Sequence, residues 1–172
     1  MDRSERKTHI RHYMQAARQA LLEVLERIDE DARVTPTENP QWRVGEIVAH
    51  LAASEKGMLR NVDRFLAGQE LPEGFSLAYW NERQVTKRAQ TPLQDLVAEL
   101  KASREQAWAI LERLRESELD VAGTHPAGFR TTVAGLFYTI ANHELEHGNE
   151  IRRALGLETP LQPDWSLSKH EE

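Results

Sequence analysis

The sequence predicts an all-α fold, a four-helix bundle with a short extra helix between its second and third long helices. Three observations carry this. Apolar residues recur at helical spacing in four long stretches. Segments carrying Pro and Gly separate those stretches. No convincing run of strand-like residues competes with them. At 172 residues the chain is expected to form a single domain, long enough to bury a core.

The first helix is expected from about Arg6 to Ile28, with Ile10, Tyr13, Met14, Ala17, Leu21, Val24, Leu25 and Ile28 along one face. A polar stretch from Asp29 to Pro40 ends it. The second spans Val44 to Leu66, where Ile47, Leu51, Met58, Val62 and Phe65 keep the period. Gly68 to Gly74 reads as a loop, and Ser76 to Gln90 as the short helix, with Tyr79 and Trp80 at a pocket entrance or in plain core packing. Thr91-Pro92-Leu93-Gln94 reads as an N-cap, a first-turn proline and a capping-box residue opening the third long helix. Its core face is Leu93, Leu96, Val97, Leu100, Ala107, Leu111 and Leu114. A loop from Ser117 to Arg130 leads to the fourth, Thr131 to Leu155, with Gly156 as its C-terminal cap. Residues 157–172 read as an irregular tail. The two longer connections, 67–90 and 115–130, are expected to close over one end of the bundle and form a pocket.

Bulk properties narrow the classes of function. The chain has no cysteine, which removes disulfides, thiolate metal sites and a cysteine nucleophile; any thiol chemistry must use a thiol brought by a cosubstrate. A net charge of -6 argues against broad nucleic-acid binding, so no nucleic-acid partner is expected. No apolar run approaches the roughly 20 residues of a membrane span. The polar stretch Met1 to Lys7 has no apolar core of a secretion signal, so a soluble cytoplasmic protein is expected.

The chemistry concentrates in His143-Glu144-Leu145-Glu146-His147. Histidines four residues apart on a helix lie about 40° apart around the axis, so both can reach one metal ion. Leu136, Ile140, Glu150 and Ala154 share their stripe. The string also reads HExxH, the zinc-protease signature with Glu144 as general base. The longer protease pattern fails at Glu150 and Arg153, and its third ligand would have to be Glu158, His170 or the acidic end. A better third ligand is His50, at the edge of the apolar face of the second helix; alone, it would read as a partly buried histidine bonded to a carbonyl.

Trp42 followed eight residues later by His50-Leu51, with His143-x-x-x-His147 near the end of a fourth helix, resembles the DinB-like superfamily, also described as YfiT-like metal-dependent hydrolases. The resemblance covers roughly residues 6–156. It implies a divalent metal, zinc or nickel, held by His50, His143 and His147 with solvent in the open positions. It also implies thiol-dependent transfer or isomerisation with a low-molecular-weight thiol, and a homodimer. Two residues depart from the pattern. Arg43 stands where a small capping hydroxyl is usual, and Glu150 stands where a Gln often follows the second histidine.

Three neutral imidazoles leave a divalent ion its full charge, and an open position lowers the pKa of bound water towards about 7 or holds an incoming thiol as thiolate. Hydrolysis and thiol transfer are both open on this reading. Glu46, one turn before His50, and Glu150, one turn after His147, are the candidate bases or partners of an imidazole N–H, or else surface charges, with Glu150 also open as a metal ligand. Glu144, His9, His12, His125 and His170 read as surface residues. Two classes of function follow: a metal-dependent transferase or hydrolase acting on a small molecule, or a noncatalytic bundle that binds a metal or ligand for storage, sensing or protection.

Overall fold

The computed structural model describes residues 3–170, with side chains from Glu5 onward. Five helices and one small hairpin make up the regular structure. Helix α1 is Arg3–Leu25, α2 Val44–Leu66, α3 Leu77–Lys87, α4 Leu93–Arg113 and α5 Val133–Ala154. The long helices α1, α2, α4 and α5 form the bundle, with α5 packed on α1 and α2, and α2 also on α4. The short α3 packs against α2. The all-α expectation therefore holds, with one addition. The 117–130 connection contains a 3-10 turn, Glu116–Asp120, and an antiparallel pair, β1 Ala122–Thr124 and β2 Arg130–Thr132.

Local chemistry sets the ends of the helices. Thr132 caps α5, its hydroxyl accepting the Gly135 amide at 3.1 Å. At the other end Gly156 adopts φ +71°, and the Leu157 amide reaches back to the Arg152 carbonyl at 2.8 Å, the left-handed stop expected of that glycine. Helix α2 starts after Arg43, which has no side-chain acceptor to offer; Glu46 supplies the bond instead, accepting the Arg43 amide at 3.0 Å. The start of α4 differs from expectation by one residue. Pro92, not Thr91, is its N-cap, and the exposed Leu93 amide is taken by Glu30 Oε1 at 2.7 Å from a distant turn. That backbone N–H holds the Glu30 carboxyl below the usual carboxylate range.

The core has two apolar clusters. One holds Met14, Leu59, Phe65, Leu111 and Phe137; the other holds Leu21, Ile47, Leu51, Leu100 and Ile151. Between them each long helix contributes one buried charge: Arg18 from α1, Glu55 from α2, Arg104 from α4 and Glu144 from α5. Glu144 is thus not a surface residue. Its Oε1 accepts from both guanidiniums, at 2.5 Å from Arg18 Nη2 and 3.0 Å from Arg104 Nη2. Glu55 takes Arg18 at 2.6 Å and Arg104 at 2.7 Å. Burial opposes the charge of Arg18, but Glu144 and Glu55 outweigh it and hold the guanidinium above its ordinary pKa. Burial pushes the Glu55 carboxyl up, against the pull of Arg104 and Arg18. With two cations matched to two carboxylates at these distances, the fully charged state is the one the geometry favours.

The tail is irregular but fixed. Asn142 on α5 donates to the Asp164 carbonyl at 2.8 Å and to Ser168 Oγ at 2.9 Å, and Asn149 donates to the Leu161 carbonyl at 2.8 Å. The tail therefore covers the outer face of α5, which is why Asn142 and Asn149 are buried. No helix among the described residues is long and apolar enough to cross a membrane.

Candidate metal centre

Helices α2 and α5 bring His50, His143 and His147 together. One ring nitrogen from each lies within 4.8 Å of the other two. His50 Nε2 and His143 Nε2 are 2.8 Å apart, and the three ring centroids are separated by 4.4 to 4.9 Å. His50 is buried, and Trp42 packs on it with ring centroids 4.6 Å apart. The carbonyl of Trp42 is pinned by the Thr37 hydroxyl at 2.6 Å, so the turn before α2 fixes this wall.

Two neighbours orient the ligands. His147 Nδ1 lies 3.0 Å from Glu150 Oε1, though not aligned as a hydrogen bond. Ser54 Oγ gives its own proton to the His50 carbonyl at 2.5 Å and stands 3.4 Å from His50 Nδ1. Both contacts engage Nδ1 and leave Nε2 as the ligand atom, the arrangement an outer partner imposes on a metal-bound imidazole. Burial, aided by the neighbouring His147, lowers His50 to about 3, and burial pushes His143 well below its ordinary value. At 2.8 Å the facing Nε2 atoms of His50 and His143 either share a proton in an N–H···N hydrogen bond or turn both lone pairs to a cation between them. A set of three imidazoles fits a divalent transition-metal ion.

The centre opens on a cavity of about 420 Å³, a volume suited to a small ligand. Both long connections wall it: Leu71, Phe75 and Trp80 from one, His125 and Phe129 from the other, with Trp165 from the tail. Of the two aromatics on α3, Trp80 faces the cavity and Tyr79 is exposed. Gly57 on α2 permits that approach, because a Cβ there would meet the Trp80 ring at 2.6 Å.

Among the other expected site residues, Glu150 lies at the centre, whereas Glu46 is spent on capping α2 and does not line the cavity. Glu144 belongs to the buried ionic layer, so the protease reading loses its base; Glu158 and His170 are not in the histidine cluster, and the acidic end lies outside the described residues. His9, His12 and His170 are exposed as expected. His125 is not: it is 7% exposed and lines the cavity. Nothing in the spacing of a lone loop histidine reveals that position. Burial, with the charge of Arg64 nearby, lowers it to about 4.

These shifts give a sign for the metal-free protein. The folded pKa values of His50 and His125 lie below the unfolded value near 6.5, so the unfolded chain binds more protons as pH falls. Their contribution is complete above pH ~6.5 and is lost on acidification, at about 1.4 kcal/mol per pH unit for each such histidine. The melting temperature of chelator-treated protein should fall steadily between about pH 6.5 and 5, above the main carboxylate range. A flat profile there would contradict the neutral buried histidines.

A cluster of three histidines between facing helices, opening on an apolar cavity, gives this helix bundle a donor set able to hold a metal ion. The chain belongs to the DinB superfamily, whose family model matches residues 13–151. Solved structures share the fold at low identity. The mycothiol-dependent maleylpyruvate isomerase is 12% identical with a TM-score of 0.71; the match covers 88% of this chain and 61% of that one, so this chain spans less than two thirds of the isomerase. An uncharacterised protein from Escherichia coli UTI89 is 11% identical over 87% of this chain and 92% of its own, with a TM-score of 0.71. The colibactin self-resistance protein ClbS, solved in complex with double-stranded DNA, is 17% identical over 88% and 96%, with a TM-score of 0.69. No curated protein matches the chain. The ClbS complex corrects the expectation that net charge excludes a nucleic-acid partner. Net charge is a sum over the whole surface, and binding is decided by local charge.

Proposed function

We propose that the protein is a metal-dependent enzyme acting on a small molecule, with His50, His143 and His147 holding zinc or nickel. The observation that carries this reading is the convergence of three imidazoles, two of which, His50 and His143, line an apolar cavity of about 420 Å³. A divalent ion held there supplies a Lewis acid with an open coordination position, which serves thiol activation and hydrolysis alike. Glu150 orients His147 and stands ready to take a proton from it. Trp42, Trp80 and Phe129 exclude water from the reacting centre.

Thiol-dependent transfer is the favoured reaction. The chain has no cysteine of its own, and a structural neighbour is mycothiol-dependent. Hydrolysis is the second reading, supported by the same open position. The test loads the protein with zinc or nickel and supplies a low-molecular-weight thiol with an electrophile such as chlorodinitrobenzene. Loss of free thiol that needs the metal supports transfer; turnover of an activated ester without thiol supports hydrolysis. Stoichiometric metal with neither activity would leave a noncatalytic binder.

A further inference from the structure

The loop at the tip of the β1–β2 hairpin holds a group that the metal chemistry does not use. The His125 amide donates to the Phe129 carbonyl at 2.8 Å, and the Gly128 amide returns to the His125 carbonyl at 2.8 Å. Gly128 has φ +97°, a conformation side-chain-bearing residues rarely adopt. The His125 ring stacks on Phe129, with centroids 4.5 Å apart and planes 13° off parallel. Arg64 on α2 ties the loop down by donating to the Thr124 carbonyl at 2.6 Å. The imidazole is therefore fixed in place.

Its tautomer is fixed as well. The Ala127 amide donates to His125 Nδ1 at 3.0 Å, so Nδ1 carries a lone pair and, in a neutral ring, the proton sits on Nε2. That buried Nε2–H has no acceptor among the described residues. Buried donors in native proteins have partners, and an orphan beside a ligand cavity calls for an acceptor from the ligand. The charge of the cavity wall narrows that acceptor. Among the described residues no Asp or Glu lines the cavity, whereas Arg60 and Arg64 do. The hydrogen bonds of Arg64 go to uncharged acceptors, Asn61 Oδ1 and the Gln69 and Thr124 carbonyls; Glu70 acts on its charge only at longer range, and no ion pair to Arg64 forms among the described residues. The remaining wall is mainly apolar and aromatic.

We infer that His125 is a substrate-binding residue that donates its Nε2–H to an anionic oxygen, and that the cavity takes a small organic carboxylate with an apolar body. The inference deepens the proposed function and rests on the same cavity being the substrate site. Burial keeps the ring neutral, so the donor persists across physiological pH.

Phenylacetate, with 2-phenylethanol as its uncharged counterpart, probes this in both zinc-loaded and chelator-treated protein. Wild type should bind phenylacetate more tightly than the alcohol in both states. His125→Phe, which keeps the stacked ring, should weaken phenylacetate binding by about tenfold or more and leave the alcohol unchanged. His125→Gln, whose amide can offer a donor at similar reach, should recover part of the loss. Long-range nitrogen–proton NMR of labelled histidine should show the Nε2–H form, with Nε2 shifting on addition of phenylacetate. Equal phenylacetate affinity in wild type and His125→Phe, no binding of phenylacetate at millimolar concentration, or an Nδ1–H tautomer would each overturn the inference. Zinc uptake by the same variants is read separately. Its failure in wild type strikes the metal-enzyme reading, whereas the chelator-treated arm still judges His125.

Discussion

Replacing His143 with alanine should lower zinc or nickel affinity by more than about a hundredfold while leaving the helical signal unchanged. Loss of an outer partner of a metal-bound imidazole already costs about 10–100-fold. His143 is nearer the centre than any such partner: its Nε2 sits 2.8 Å from that of His50, and its ring is 4.4 Å from that of His147. A two-histidine remnant has no thiolate to fall back on, since the chain lacks cysteine, and the nearby Glu150 carboxylate lies against His147 Nδ1 and is not part of the three-histidine cluster. His50→Ala should behave alike, and Glu150→Gln should fall in the smaller, outer-partner range. Elemental analysis of untagged wild type and variants, beside circular dichroism, measures both quantities. Near-stoichiometric metal in His143→Ala would remove the three-histidine centre from consideration.

The parts of this centre that a sequence displays are those joined by short-range periodicity. His143 and His147 share a helix, so four residues of separation fix their proximity before any tertiary packing is known. His50 needed a second argument, a face, and α2 does bury that face. What escaped was set by long-range contacts. The surface expectation for Glu144 fails because helical periodicity alone says nothing of how much of α5 is covered. With α1 and α2 on one side and the tail on another, α5 buries residues around most of its circumference. The α4 cap came from Glu30, 63 residues upstream, and no local capping pattern records such a donor-acceptor pair. His125 owes its role to a hairpin of three-residue strands, too short to announce itself through alternation.

The buried ionic layer should respond to single and combined substitution in opposite ways. Arg104→Met removes the bonds to Glu55 Oε1, Glu144 Oε1 and the Met14 carbonyl at once, and leaves two buried carboxylates sharing Arg18. Breaking a buried pair in this manner costs about 3–5 kcal/mol, because an uncompensated charge stays behind. At about 2–4 °C per kcal/mol for a chain of this size, the melting temperature should drop by roughly 6–20 °C. Replacing Arg18, Glu55, Arg104 and Glu144 together by Met and Leu should recover most of that loss, since an apolar layer pays no desolvation of charge. Each helix supplies one member of the layer, so the charges pair only when all four helices stand at the same height. Its expected contribution is to the register that lines up α2, which carries His50 and Glu55, with α5, which carries His143 and Glu144. Urea unfolding measures the stability difference, and zinc affinity of the fourfold variant measures register. A single variant as stable as wild type would show that the layer is not held by its charges. A fourfold variant that is stable yet binds zinc as wild type does would show that apolar packing alone sets the alignment.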